Sequence, residues 1–161
     1  MGAGPIGLFT ILLAKIQGAQ VEVAEPNAAR LAFCTEKLGV PAASQSSYQT
    51  VIDATGNRSA IESGFAKIAH GGQYILIGLQ KEVISFVHPE FHKREATLMS
   101  SRNATREDFL YVMDLLRTKQ INAQDFISHQ VAWSDLGAVF PKIHLPEMGV
   151  IKAVVKLDVR R

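Results

Sequence analysis

The tightest constraint on this chain stands at its start, in "MGAGPIGLFT". Gly2, Gly4 and Gly7 have the spacing of a dinucleotide-binding turn. The first glycine permits a sharp bend, the second lets backbone approach a pyrophosphate, and the third lets a helix pack on a strand. Such a turn ends a β-strand and opens a helix whose free N–H groups and partial positive charge face the phosphates. Only Met1 precedes Gly2 here, so the strand that the turn calls for is not among these 161 residues. The expected fold is therefore α/β, a Rossmann-like doubly wound parallel sheet lacking its first strand.

The residues after the turn continue that pattern. Ile6, Leu8, Phe9, Ile11, Leu12, Leu13 and Ile16 predict a helix apolar on nearly every side, hence buried, with Gly18 at its C-terminal end. "VEVAE" (21–25) predicts a short buried strand ending in a carboxylate. Asn27 is placed to cap a helix that stops at Gly39 and Pro41, with a minimal strand near Ala43. "VIDAT" (51–55) and "QYILIG" (73–78) read as strands, separated by a helix that Ser59 and Glu62 would open as a capping box. "EVISF" (82–86), close to Pro89, reads as an edge strand, and "ATLMSS" (96–101) as another. Residues 106–118 predict an amphipathic helix, Ser134 a short helix running to Pro141, and "VIKAVVKL" (150–157) a closing strand. Strand and helix alternating at this spacing mean a parallel sheet with helices on both faces.

Glu25 lies eighteen residues past Gly7 and ends the strand after the first helix, where an acidic side chain grips the adenosine ribose hydroxyls. Its charge repels a 2′-phosphate, which favours NAD over NADP; Arg30, about one helical turn further on, softens that preference. Seventeen basic against fifteen acidic residues, with scattered aromatics, argue against nucleic-acid and membrane partners. Cys34 is the only cysteine, which excludes an internal disulfide and a cysteine-based zinc site and points to the cytoplasm. "PIGLFTILLA" lacks the basic lead of a signal peptide, and Ile6 stands where a myristoylation site needs Ser or Thr. His88 and His92 are four residues apart, but Pro89 argues against a long helix, so they read as solvated loop residues. Asp53 reads as a residue that orients a loop.

The stretches "GAGPIGLFTILLAKIQGAQVEVAEPNAARLAFCTEKLG", "VIDATG", "GGQYILIGL" and "GVIKAVVKL" together resemble the medium-chain, zinc-dependent alcohol and polyol dehydrogenases. The resemblance implies a coenzyme domain over residues 1–102 and a segment, 103–161, that returns to a catalytic domain lying upstream. It implies that Gly2, Gly4, Pro5, Ile6 and Gly7 bind the pyrophosphate and that Glu25 and Arg30 hold the adenosine ribose. Ala54 and Thr55 would line the cleft, and Ile77, Gly78 and Leu79 would lie beside the nicotinamide. Leu98, Met99 and Ser100 would offer backbone to its carboxamide. Lys152 matches a basic position that reaches the pyrophosphate where relatives carry Arg. Residues 83–87 match the edge through which subunits of the family pair.

Family chemistry is hydride transfer from a zinc-bound alkoxide to nicotinamide. The residues that hold that zinc belong to the upstream domain, so this chain alone is expected to be inactive. The alternative class is a non-catalytic NAD-sensing or regulatory module. The absent strand would be central, leaving its neighbours about 9–10 Å apart. Its five or six buried side chains, at about 1.5–3 kcal/mol each, rival the about 5–15 kcal/mol that holds a whole domain together. The expectation is that the gap closes, is filled by another segment such as 150–157, or takes a strand from a second copy.

Overall fold

The computed structural model describes residues 1–145 and 148–157. The chain divides into two compact units, Met1–Ala104 and Thr105–Arg161.

In the first unit, α1 (Pro5–Ile16) starts directly at the glycine turn, with Gly4 as its N-cap and Pro5 in its first turn. Proline suits that position because its φ is preset and the N–H it lacks has no partner there. Gly7, Leu8 and Ile11 form the buried face, and Gly18 ends the segment at a φ of +81°. Asn27 caps α2 (Ala28–Ala32), its side chain accepting from Arg30 N at 3.0 Å. A π-helical turn, Phe33–Lys37, carries on from α2 and buries Cys34, whose thiol is pushed up by burial.

Three strands follow, β1 (Tyr48–Asp53), β2 (Ile68–Leu76) and β3 (Thr97–Ser100), parallel and in that order. Val51 registers with Tyr74, and Tyr74 with Leu98. Between β1 and β2 runs α3 (Arg58–Gly64), and before β3 the short α4 (His88–His92). The core gathers Val51, Ile61, Phe65, Ile68 and Tyr74. Tyr74 is fully buried with its hydroxyl donating to Ile61 O at 2.9 Å, and its ring meets Phe65 edge-on at 5.0 Å.

Several local expectations change. Asn57, not Ser59, caps α3: its side chain accepts from Ala60 N at 3.0 Å. Gly56, at a φ of +60°, turns the chain so that Asn57 takes the extended cap conformation and Ser59 falls inside the helix. His88 and His92 sit on a helical turn after all, because Pro89 is tolerated in the first turn; their rings are 5.7 Å apart. Residues 83–87 form no strand ladder. Ser85 N donates instead to Glu62 Oε1 at 2.9 Å, and Phe86 stacks on Phe65 at 4.5 Å.

Residues 21–25 form only a bridge, Val23 with Ala42, made by Val23 N to Pro41 O at 2.9 Å and Ala43 N to Val23 O at 2.8 Å. On its other side this segment meets the first two residues of the chain. Gly2 N donates to Ala24 O and Ala54 N donates to Met1 O, both at 2.9 Å. Met1 is thus the last rung of an interior position in the sheet, with 21–25 on one flank and β1 on the other. Among the described residues the gap neither closes nor takes in another segment. The Met1 rung holds its walls apart at one end, and Tyr48 Oη donates across it to Glu22 Oε2 at 2.7 Å. Ser44 N–H, then Tyr48 and Gln45, hold the Glu22 carboxyl down to about 2.

The second unit contains α5 (Arg106–Arg117), opened by a full capping box between Thr105 and Asp108, and two parallel strands, β4 (Ile127–Ala132) and β5 (Lys152–Lys156). A 3₁₀ turn, Trp133–Asp135, leads into α6 (Leu136–Val139), and Ser134 makes no side-chain cap there. Leu115, Ile121, Phe126 and Val131 are buried. β5 pairs with β4, which the sequence reading did not anticipate; the closing strand is therefore engaged here rather than in the gap.

Candidate dinucleotide site

Parallel strands point their carboxyl ends to one edge of a sheet, and in open α/β sheets ligands bind along that edge. The glycine turn, Glu25, the turn after β1 and the turn after β2 all lie there. Each glycine is fitted to a different task. A Cβ on Gly7 would collide with Gly2 O, so this glycine is what lets α1 seat against the turn. Gly2, at a φ of +85°, has Thr55 Cγ2 at 2.9 Å from where its Cβ would be. Around Gly4, by contrast, a Cβ would meet nothing within 4 Å, so its backbone faces open space.

That space is a cleft of about 630 Å³ lined by Gly2, Gly4, Glu25, Arg30, Thr55 and Asn57 among others. Its volume is in the range of small-molecule and cofactor sites, about 300–1,000 Å³. Glu25 braces it. Its Oε2 accepts from Ala3 N at 2.7 Å and its Oε1 from Asn27 N at 2.8 Å, which ties the glycine turn to the 24–27 corner. Each carboxylate oxygen retains a lone pair, so the group can still receive ribose hydroxyls. Arg30 supplies a cation on the same wall.

The turns after β1 and β2 are locked together through Asp53, which is fully buried. Its side chain accepts from Thr55 Oγ1 at 2.6 Å and Gly56 N at 3.2 Å, and its carbonyl accepts from Ile77 N at 2.9 Å and Gly78 N at 3.0 Å. A Cβ on Gly78 would collide with Gly56 N and lie 2.8 Å from Asp53 Oδ2, so neither turn has room to shift alone. Leu79 then projects outward, 72% exposed. Leu98, Met99 and Ser100 form the outer strand β3 beside it, and Ser101 N returns to Leu76 O at 3.0 Å. Pro5 and Ile6 open α1, Ile6 largely exposed.

The structure thus brings Gly2, Gly4, Gly7, Glu25, Arg30, Ala54 and Thr55 around one turn and cleft, with Ile77, Gly78 and Leu79 on the adjoining turn. Lys152 lies on β5 of the second unit, registered with Ile127. Sequence reasoning missed Asn57 and Ser63, which line the cleft at and beyond the start of α3. The signal for Asn57 was available: a capping residue directly after a strand-end glycine puts a second helix N-terminus at the same edge. Among the described residues no group of three or more His, Cys, Asp or Glu side chains is arranged to hold a metal ion.

A parallel sheet carrying a glycine turn and an acidic corner at its carboxyl edge defines a Rossmann-type dinucleotide-binding domain. No family model matches the chain. The L-galactonate-5-dehydrogenase of Escherichia coli (strain K12) is 36% identical over 170 residues, covering 96% of this chain and 50% of the relative. The sorbitol dehydrogenase of Rattus norvegicus is 26% identical over 148 residues, covering 80% and 41%. Among solved structures, a zinc-binding dehydrogenase of Sinorhizobium meliloti 1021 bound to NADP has the same fold, with a TM-score of 0.83 at 20% identity over 96% of this chain and 50% of that one. The chain is accordingly a relative of the medium-chain, zinc-dependent alcohol and polyol dehydrogenases, matched in their coenzyme-binding portion. It spans about half the length of the curated relatives it matches.

Proposed function

We propose that these residues are the coenzyme-binding portion of an NAD-dependent dehydrogenase acting on the CH–OH group of a polyol or sugar acid. The observation that carries this reading is the Glu25 corner. A carboxylate holds the glycine turn by Ala3 N while facing the same cleft as Gly4. A dinucleotide fits the groups present: pyrophosphate over Gly4 at the N-terminus of α1, and adenosine ribose at Glu25 and Arg30. The nicotinamide would lie toward Ile77, Gly78 and Leu79, with Leu98, Met99 and Ser100 at its carboxamide and Lys152 supplying a further cation. In the whole enzyme, zinc bound by residues outside this chain would lower the pKa of the alcohol before hydride transfer. This chain's share is to bind and orient the coenzyme, and alone it turns nothing over. Residues 83–87, with Val83 and Val87 well exposed, are the stretch assigned to pairing between copies, as an exposed loop rather than a strand edge.

Titration of the 161-residue chain with NADH and with NADPH, followed by nicotinamide fluorescence, tests the reading. Saturable NADH binding with weaker NADPH binding is the expected result. Equal affinities would overturn the NAD assignment, and no binding of either would overturn the coenzyme assignment.

A further inference from the structure

The coenzyme reading leaves His88 and His92 unused. They stand at the two ends of α4, four residues apart and therefore neighbours on one face of the turn, with ring centres 5.7 Å apart. Both are exposed, and among the described residues neither ring makes a hydrogen bond or an ion pair. The charges beside them already have partners: Glu90 Oε2 meets Lys93 Nζ at 2.7 Å and Arg94 Nη1 at 3.1 Å.

The turn that carries the two rings is held by its own backbone and by the core. Val87 O accepts from Glu90 N at 3.0 Å and from Phe91 N at 3.1 Å, and Pro89 O accepts from Lys93 N at 3.0 Å. Phe91, between the histidines, meets Phe65 edge-on at 6.0 Å and Phe86 at 5.3 Å. Just beyond the turn, Gly71 N donates to Arg94 O at 2.7 Å and ties the segment to β2. Two nitrogen donors are thus presented side by side on a fixed support.

Their separation selects a coordination geometry. Imidazole nitrogen binds zinc at about 2.0–2.1 Å, which sets each ring centre about 3.2 Å from the ion, so two rings at a tetrahedral angle have centres about 5.2 Å apart. At the right angle of a square-planar or octahedral ion the figure falls to about 4.5 Å. The observed 5.7 Å is nearer the tetrahedral value, and rotation about the exposed side-chain bonds closes the difference. The rings are splayed by 47° rather than stacked.

We propose that His88 and His92 form a two-imidazole site for a tetrahedral divalent ion, zinc, with water completing its shell. The site is separate from the zinc of the proposed reaction, whose ligands lie outside this chain. Its role is structural. The ion joins the first and last residues of α4, so it binds only when the turn is formed and holds it formed. Because α4 carries Phe91 to Phe65 and Phe86, the ion also tightens the connection between β2 and β3.

The test titrates zinc chloride into the 161-residue chain at neutral pH by calorimetry, with the imidazole resonances followed by NMR. One ion per chain with a Kd on the order of 10 µM, and the His88 and His92 signals shifting together, is the expected result. Hydrogen exchange at the Lys93 amide should slow by about tenfold when free zinc reaches about ten times Kd. His88→Gln and His92→Gln should each weaken binding by about tenfold or more and remove that slowing, with far-ultraviolet circular dichroism unchanged. His70→Gln, on β2, should alter neither. Undiminished affinity in either α4 variant, loss of binding in His70→Gln, or no saturation below about 1 mM would each overturn the proposal. Half an ion per chain in a sample that sediments as a dimer would overturn it in favour of a site shared between copies.

Discussion

Replacing Glu25 by Gln separates the two tasks that its carboxylate performs. The side chain accepts from Ala3 N at 2.7 Å and from Asn27 N at 2.8 Å. Gln keeps one acceptor oxygen and sets an NH₂ group where the other stood, so one of these amides loses its partner and faces a donor. A ribose hydroxyl donating to the carboxylate also loses a charge-assisted bond. Such a bond contributes about 1.5–3 kcal/mol, equivalent to about 10- to 150-fold in Kd. NADPH responds in the opposite sense, because its 2′-phosphate no longer faces a negative charge. Fluorescence titrations of both coenzymes at one fixed salt concentration should therefore show NADH binding falling by that factor and NADPH binding rising. An equal fall for both would mean that Glu25 only braces the turn, and the ribose assignment would be refuted. Unchanged NADH affinity would refute both tasks.

Four other perturbations follow from the geometry. Gly4→Ala places a methyl group in open cleft space, so stability in urea should hold within about 0.5 kcal/mol while NADH binding weakens; Gly7→Ala drives a Cβ into Gly2 O and should cost about 1–3 kcal/mol in the same urea titration. Tyr74→Phe deletes the buried hydroxyl that donates to Ile61 O and should lower unfolding free energy by about 0.5–1.5 kcal/mol, with no change in secondary structure by circular dichroism. Glu22, held to about 2 in the fold by Ser44, Tyr48 and Gln45, has a folded pKa below its unfolded one. Its contribution is complete above the unfolded value and is lost as pH falls toward about 2, so melting temperature should drop over that range, and less steeply in Glu22→Gln.

What the sequence made legible was whatever local chemistry decides. The glycine turn, the Asn27 cap, the apolar faces of α1 and the start of α5 each depend on residues within one or two turns of themselves. The reading failed where distant groups decide. "VEVAE" has the composition of a buried strand, but a ladder needs a run of residues paired in register with a neighbouring strand, and here only the Val23–Ala42 bridge and the Gly2 N to Ala24 O hydrogen bond form. "EVISF" has strand propensity too, yet Phe86 finds Phe65 and Phe91, and Ser85 finds Glu62, so ring packing takes the segment from the sheet. β4 was hidden by Ser128, His129 and Gln130, polar residues held in place by pairing with β5 rather than by burial. In the site, the glycine turn and Glu25 could be read directly. The lock between the Gly56 and Gly78 turns could not, because it joins two segments more than twenty residues apart.

Every laddered strand pair among the described residues is parallel. Parallel neighbours cannot be joined by a two-residue hairpin, so each pairing must wait for a crossover to close. No short-range β nucleus is therefore available to start the sheets, and refolding should begin from helix–strand contacts such as α3 on β1 and β2, with strand pairing following slowly. During that interval β3, exposed along all four of its residues, and the apolar 83–87 stretch are open to other chains. Soluble yield should accordingly depend more on protein concentration and temperature during synthesis than on the final stability of the folded chain.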